Sequence, residues 1–108
     1  MAKNLTVTVL LDFYGELLTH KQSEALILYY NEDCSLAEIA EIMSVSRQGA
    51  RDFIKRGEAS LYEFEEKLGL AGRFVKISKS IDELIKLAQE NNVSYDFIKL
   101  IEEIKSNL

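Results

Sequence analysis

The chain has 108 residues, of which 47% are hydrophobic, and a formal net charge of −5 at pH 7. This length fits one domain with a substantial core, and the negative charge argues against a protein that coats polyanions with its whole surface. Its only cysteine, Cys34, and only histidine, His20, cannot supply a four-ligand zinc site or a disulfide framework. The N-terminus is too short and polar for a signal peptide or membrane span, so we expect a cytoplasmic protein without membrane insertion.

Apolar residues at helical spacing predict two helices in the first third of the chain. The first should run from about Leu5 to Leu18. Thr19 and Gln22 have the spacing of a capping box, which predicts the start of the second helix. The buried side of the second helix is expected to hold Ala25, Leu26, Leu28, Tyr29 and Tyr30. We interpret the two tyrosines as half-buried residues whose hydroxyls reach water.

Residues 35–56 predict two further helices joined by a very short turn. Ser35 and Glu38 form another capping box. A break at Ser44 and Val45 then precedes Ser46, which is suited to cap the next helix. Because so short a turn forces the helices to cross steeply, this pattern indicates a helix-turn-helix unit. A helix pair in a bundle that binds nothing would have the same spacing. The charge of the segment therefore helps to distinguish a nucleic-acid-binding helix-turn-helix unit from a structural helix hairpin.

The segment from Met43 to Gly57 is basic, with four basic residues and one acidic residue. A local basic patch on an acidic chain is the electrostatic footprint of nucleic-acid binding. We therefore expect the helix that begins after Ser46 to enter the major groove of double-stranded DNA. The residues expected to contact base edges are Arg47, Gln48 and Arg51. The residues expected to contact phosphates are Ser46, Lys55 and Arg56.

This recognition helix is expected to continue to Leu68 and to end at Gly69, a length of about 35 Å. Its apolar residues follow a heptad-like spacing. They are Ala50, Ile54, Gly57, Leu61, Phe64 and Leu68. So long a seam has to pack on other helices or on a second copy of the chain, and we expect a homodimer.

After Gly69 the sequence predicts a connector over residues 70–79 and then a C-terminal pair of helices. The connector holds three basic residues and no acidic one. We interpret it as a surface segment, in preference to an auxiliary phosphate contact. Ser80 and Glu83 form a third capping box, which predicts the start of the next helix, and Ser94 is suited to cap the last one.

No segment has the alternation that a sheet requires, so the expected fold class is all-α. We expect one helical domain over residues 1–108. Its helix-turn-helix core should span about 19–69, and residues 70–108 form a C-terminal helical extension.

Two families resemble this sequence. From Leu18 through Leu61 the chain resembles region 4 of bacterial sigma factors, the promoter-recognising region, in runs such as Leu28-Tyr29-Tyr30 and SLAEIA at 35–40. About two-thirds of the chain resembles the YlxM family of small helix-turn-helix proteins. The runs that carry this likeness are LLDFYGELLT, YY–SLAEIAE–VSRQ and IKRGEASLYEFEEKLGL. Such proteins are encoded beside signal recognition particle components in Gram-positive bacteria. The resemblance implies a DNA-binding regulatory protein linked to that pathway, and it implies no enzymatic activity.

The candidate functions fall into three classes. The first is sequence-specific DNA binding. The second is a protein-interaction or assembly module on the same scaffold. RNA association is a variant of the first, but the deep, narrow groove of an RNA helix excludes a recognition helix. The third is an enzyme, for which the sequence offers no nucleophile–base pair, metal cluster or phosphate-binding glycine loop, and we expect no cofactor. The expected function is therefore a helix-turn-helix regulator.

Overall fold

The structure is a computed structural model that describes residues 6–108. Every regular element in this range is helical, which confirms the all-α fold class. The elements are α1 (Val7–Tyr14), a 3-10 turn (Gly15–Leu17), α2 (His20–Leu26), a π-helical turn (Ile27–Asn31), α3 (Leu36–Met43), α4 (Arg47–Leu68), α5 (Leu70–Glu90) and α6 (Tyr95–Ser106). The chain forms two compact units, one ending at Ala71 and one running from Gly72 to Leu108. A single domain over 1–108 stays a prediction.

The first two helices begin at side-chain caps. Leu5, where the first helix was expected to start, lies outside the described residues, and α1 begins after Thr6, whose hydroxyl accepts a hydrogen bond from the Val9 N–H. The predicted capping box at Thr19 and Gln22 is confirmed in both directions. The α-helical part of α1 ends at Tyr14, before the predicted end at Leu18, because a 3-10 turn makes the corner.

Helix α4 is the centre of the first unit, and α1, α2 and α3 all pack against it. The largest side chains that are fully buried there are Tyr14, Leu10, Leu26, Ile39 and Leu61. Four of the six seam residues are buried, namely Ala50, Ile54, Gly57 and Leu61. Phe64 is half-buried and Leu68 is exposed. Most of the seam on which the homodimer was predicted is therefore covered within one chain.

Gly57 lies at the closest contact between α2 and α4. A Cβ atom at this position would be 2.7 Å from Leu26 Cδ1 and 3.5 Å from Gln22 Cβ. No side chain larger than hydrogen fits at that distance without movement of Leu26. The close packing of α2 on α4 therefore offsets the weak helix propensity of this glycine.

The prediction of a connector over residues 70–79 is wrong, because α5 runs without interruption from Leu70 to Glu90. Ser80 lies inside this helix and caps nothing. Gly69 adopts a left-handed conformation with φ of +64° and ends α4, so α5 begins at the next residue.

The start of α5 is capped by side chains from α1 and α4. Glu65 Oε1 accepts a hydrogen bond from the Ala71 N–H at 3.0 Å, and the Tyr14 hydroxyl accepts one from the Leu70 N–H at 3.0 Å. The same hydroxyl donates to Glu65 Oε1 at 2.5 Å. These contacts satisfy amides that every helix start leaves without a partner in the helix.

The second unit consists of the rest of α5 and the whole of α6. Asn91 and Asn92 form the turn between them, and Ser94 caps α6 as predicted. Lys105 Nζ and Asp82 Oδ1 form an exposed ion pair at 2.5 Å across the two helices. Within this unit the buried side chains are Ile81 and Ala88.

Candidate nucleic-acid interface

The turn between α3 and α4 has the geometry that a helix-turn-helix unit requires. Ser44 ends α3 in the left-handed region, with φ of 56°. The Val45 N–H then bonds the Ala40 carbonyl at 2.9 Å, and the Val45 side chain packs against the core. Ser46 caps α4 by accepting a hydrogen bond from the Gly49 N–H at 2.9 Å. Only three residues, 44–46, separate the two helices.

Four of the six predicted contact residues lie close together on the solvent side of α4. All four are exposed, namely Arg47, Gln48, Arg51 and Lys55. Because each residue of an α-helix is rotated by about 100° from the one before, these four positions fall within an arc of about 100° around the helix axis. The buried residues of α4, such as Ala50 and Ile54, occupy a separate face. The structure thus presents three cations and one amide on a single surface.

The other two predicted residues are placed differently. Ser46 is exposed, but its hydroxyl already serves as the helix cap. Arg56 is exposed too, and it lies about half a turn of helix away from Arg47. A ligand along the basic surface would therefore meet Arg56 at its far edge.

An acidic residue lies within the same surface. Asp52 is exposed between the directions of Lys55 and Arg56, and its Oδ1 accepts a hydrogen bond from Gln48 Nε2 at 3.0 Å. This contact holds the Gln48 amide in one orientation. A carboxylate at this position lowers the positive charge of the surface.

The cationic face of α4 adjoins a shallow cavity that the sequence analysis did not anticipate. Its volume is about 280 Å³. The lining residues are Tyr29, Tyr30, Leu36, Arg51, Ile54, Lys55 and Glu58. A second depression, of about 320 Å³, lies between Leu36 and the Arg47, Gln48 and Arg51 side chains. Leu36 and Arg51 line both, so the N-terminal turn of α3 and the start of α4 border one continuous surface.

The two tyrosines do not behave alike. Tyr29 was expected on the buried side of its helix, but 40% of it is exposed, and it lies at the cavity beside Arg51. Tyr30 is half-buried as predicted, and its hydroxyl donates a short hydrogen bond to Glu58 Oε2. Burial, followed by this contact with Glu58, raises the pKa of Tyr30 well above its ordinary value. Both tyrosines lie in the π-helical turn Ile27–Asn31, whose period differs from the 3.6 residues per turn of an α-helix.

Cys34 lies in the loop before α3 and is partly buried. Burial raises the pKa of its thiol, and the carboxylates of Glu38, Glu32 and Asp33 raise it further. A thiol with a raised pKa is a poor nucleophile at neutral pH. Between residues 6 and 108, no group of three or more histidine, cysteine or acidic side chains could hold a metal ion. Within the same range, no helix is long and apolar enough to cross a membrane.

Comparison with known proteins identifies the family. A family profile described as "Putative helix-turn-helix protein, YlxM / p13 like", UPF0122, matches residues 1–104. The chain belongs to the UPF0122 family. A UPF0122 protein of Thermoanaerobacter sp. strain X514 is 47% identical over 103 residues, which cover 93% of this chain and 88% of that protein. The UPF0122 protein of Halalkalibacterium halodurans is 44% identical over 102 residues, 94% of each chain.

Membership in UPF0122 confirms the resemblance to the YlxM family. A UPF0122 protein of Clostridium perfringens strain SM101 is 43% identical over 104 residues, which cover 95% of this chain and 93% of that protein. The profile match includes α5 and nearly all of α6. The UPF0122 family therefore shares the C-terminal helical pair as well as the helix-turn-helix unit.

Proposed function

We propose that this UPF0122 protein is a regulatory protein that binds double-stranded DNA through α4. The observation that carries the proposal is the cationic surface at the start of α4, where Arg47, Arg51 and Lys55 are exposed on one side of a capped helix. A helix of this kind fits the major groove of B-form DNA. The first two turns of α4 bring Arg47, Gln48 and Arg51 to base edges, while Ser46, Lys55 and Arg56 contact the flanking phosphates.

The distribution of charge supports DNA binding through one surface over non-specific binding of polyanions by the whole protein. The rest of the chain is acidic, so its non-specific attraction to nucleic acid is weak and the basic surface of α4 has to supply the affinity. We include in the proposal a cytoplasmic location and the link to the signal recognition particle pathway that the YlxM resemblance implies. We also propose that the working form is a homodimer, because two-fold copies would present two recognition helices to adjacent half-sites.

The alternative function is a protein-interaction or assembly module without nucleic-acid binding. The observation that favours it is the number of large apolar side chains exposed on α5 and α6. Association with the pathway's RNA is a variant of this alternative, in which the helix-turn-helix unit would not use its groove-binding surface.

The two functions are separated by selection from a pool of random DNA duplexes at low salt, followed by binding measurements on the enriched duplex. We expect enrichment of a defined sequence, and Arg51→Ala should weaken binding to it by about 1–3 kcal/mol. Lys67→Ala is the matched control, because Lys67 is an exposed cation on the same helix about 18 Å beyond Lys55. Enrichment of no sequence, with binding to the pathway's RNA or to protein alone, would establish the alternative.

A further inference from the structure

The second unit exposes far more apolar surface than it buries. Eleven large apolar side chains between Gly72 and Leu108 are exposed, whereas only Ile81 and Ala88 are buried in this part of the chain. A unit of 37 residues is below the size at which a chain stabilises itself without metals, disulfides or association. A partner that covers this surface would therefore stabilise the unit.

The exposed apolar residues form a stripe along each helix. On α5 the stripe consists of Ile77, Leu84 and Leu87, which are 43%, 50% and 55% exposed. Ser80 falls between them, so positions 77, 80, 84 and 87 follow the spacing of a heptad seam. On α6 the stripe consists of Phe97, Leu100 and Ile104, which are 57–60% exposed. Both stripes have the spacing that helices use to pack on other helices.

We propose that the α5 and α6 stripes join two copies of this chain, with the two α5 helices antiparallel at the centre of a four-helix bundle. This proposal rests on the homodimer proposed above and names the surface that forms it. The six stripe residues, each with on the order of 100 Å² exposed, supply roughly 600 Å² of apolar surface per copy. Standard interfaces bury about 800 Å² per partner, so the stripes with their polar rim reach the size of a stable dimer.

Charge favours a second copy in antiparallel orientation. The second unit carries six basic and six acidic residues, so two copies do not repel each other through it, although the whole chain is acidic. The first half of α5 carries Arg73, Lys76 and Lys79 with no acid, and its second half carries Asp82, Glu83 and Glu90 with one base. Antiparallel pairing keeps the two basic segments apart and sets each against residues 85–91 of the other copy, where Lys86 and Glu90 balance. Parallel pairing would set like charges side by side.

The heptad spacing also fixes the register of this pairing. Antiparallel helices place Ile77 opposite Leu87 of the other copy, and Ser80 opposite Leu84 of the other copy. In this register Arg73 lies near Glu90 of the other copy, at the edge of the apolar seam. The two copies of Ile77 are then about 15 Å apart along the helix axis.

The first test measures the mass of the full chain by sedimentation equilibrium from micromolar to millimolar concentration. We expect about twice the 12.3 kDa of one chain. Leu87→Glu and Leu100→Glu should each weaken the dimer at least tenfold, with the helical circular dichroism retained because both side chains are exposed. Ile42→Glu is the matched control, since Ile42 is 57% exposed on α3 and should leave the dimer intact.

The second test determines the orientation by disulfide trapping in a Cys34→Ser background. Copies with Ile77→Cys mixed with copies with Leu87→Cys should form a covalent heterodimer, whereas Ile77→Cys alone should not cross-link, because disulfides need Cα atoms within about 7 Å. Cross-linking of Ile77→Cys with itself would overturn the antiparallel arrangement.

A dimer that survives both glutamate variants would overturn this surface but not the homodimer. A wild-type chain that stays monomeric would overturn both, and it would leave DNA binding by α4 to its own test.

Discussion

The contact between Tyr14, Glu65 and the start of α5 gives the sharpest prediction about stability. Tyr14 is 1% exposed, and its hydroxyl donates to Glu65 Oε1 and accepts from the Leu70 N–H. Tyr14→Phe keeps the ring, which packs against Phe64 with centroids 5.9 Å apart, and removes both hydrogen bonds. Each buried group left without a partner costs about 1–3 kcal/mol. Glu65 Oε1 still accepts from the Ala71 N–H, so only the Leu70 N–H loses its partner, and we expect a loss of about 1–3 kcal/mol in the free energy of unfolding.

The assay is urea unfolding followed by circular dichroism, together with amide hydrogen exchange. Each 1 kcal/mol of this loss lowers Tm by about 4–8 °C in a unit of this length. The amides of Leu70 and Ala71 should also exchange faster in Tyr14→Phe. Tyr62→Phe is the control, because the half-buried Tyr62 is also on the first unit and its hydroxyl makes no hydrogen bond within residues 6–108. Equal stability of the two variants would refute the role given to the Tyr14 hydroxyl.

Three further predictions concern ionisation and charge. The folded pKa values of Tyr14 and Tyr30 lie above the ordinary 10.0, so the folded state retains protons that the unfolded state releases. The free energy of unfolding should therefore fall as pH rises above 10. Tyr30→Phe should make that fall less steep in alkaline urea titrations. The hydrogen bonds from Ser35 hold the pKa of Glu38 below 4.5, so this cap contributes stability above pH 4.5 that is lost as pH falls through the folded pKa. Ser35→Ala removes only the hydroxyl contact and keeps the backbone N–H of residue 35 as a donor, so the pKa of Glu38 should rise only part of the way to its ordinary value in an NMR titration; a full return to that value would contradict the role of the backbone N–H. Asp52→Asn removes the acid from the basic surface and should tighten binding to unrelated duplexes at low salt, as measured by anisotropy; unchanged or weaker binding would show that Asp52 does not oppose phosphate.

The helix-turn-helix unit could be predicted from the sequence because its signals are local. Capping residues such as Ser35 and Ser46 act within one turn of helix. The short link between α3 and α4 also restricts the angle at which these two helices can cross. The exposure of Arg47 and Arg51 follows directly from the helical period. These features depend on residues only a few positions apart, so no tertiary information is needed.

The start of α5 could not be predicted, because its cap comes from Tyr14 and Glu65, which are distant in sequence or belong to the preceding helix. A local capping box at Ser80 and Glu83 therefore gave a wrong boundary. The need for glycine at position 57 could not be predicted either, because it depends on the close contact with Leu26 from another helix. In each case the deciding contact is tertiary, and the local pattern favours a different structure.

The central claim is that the basic surface of α4 binds duplex DNA, and the salt dependence of binding tests it most directly. The logarithm of the association constant should fall linearly with the logarithm of salt concentration, with a slope of about −0.9 for each phosphate contacted. Lys55→Ala should reduce that slope by about 1, whereas Lys67→Ala should leave it unchanged. We expect this behaviour at low ionic strength, on the selected duplex and, more weakly, on unrelated duplexes. Absence of salt-dependent binding by the wild-type protein to any duplex under these conditions would contradict it.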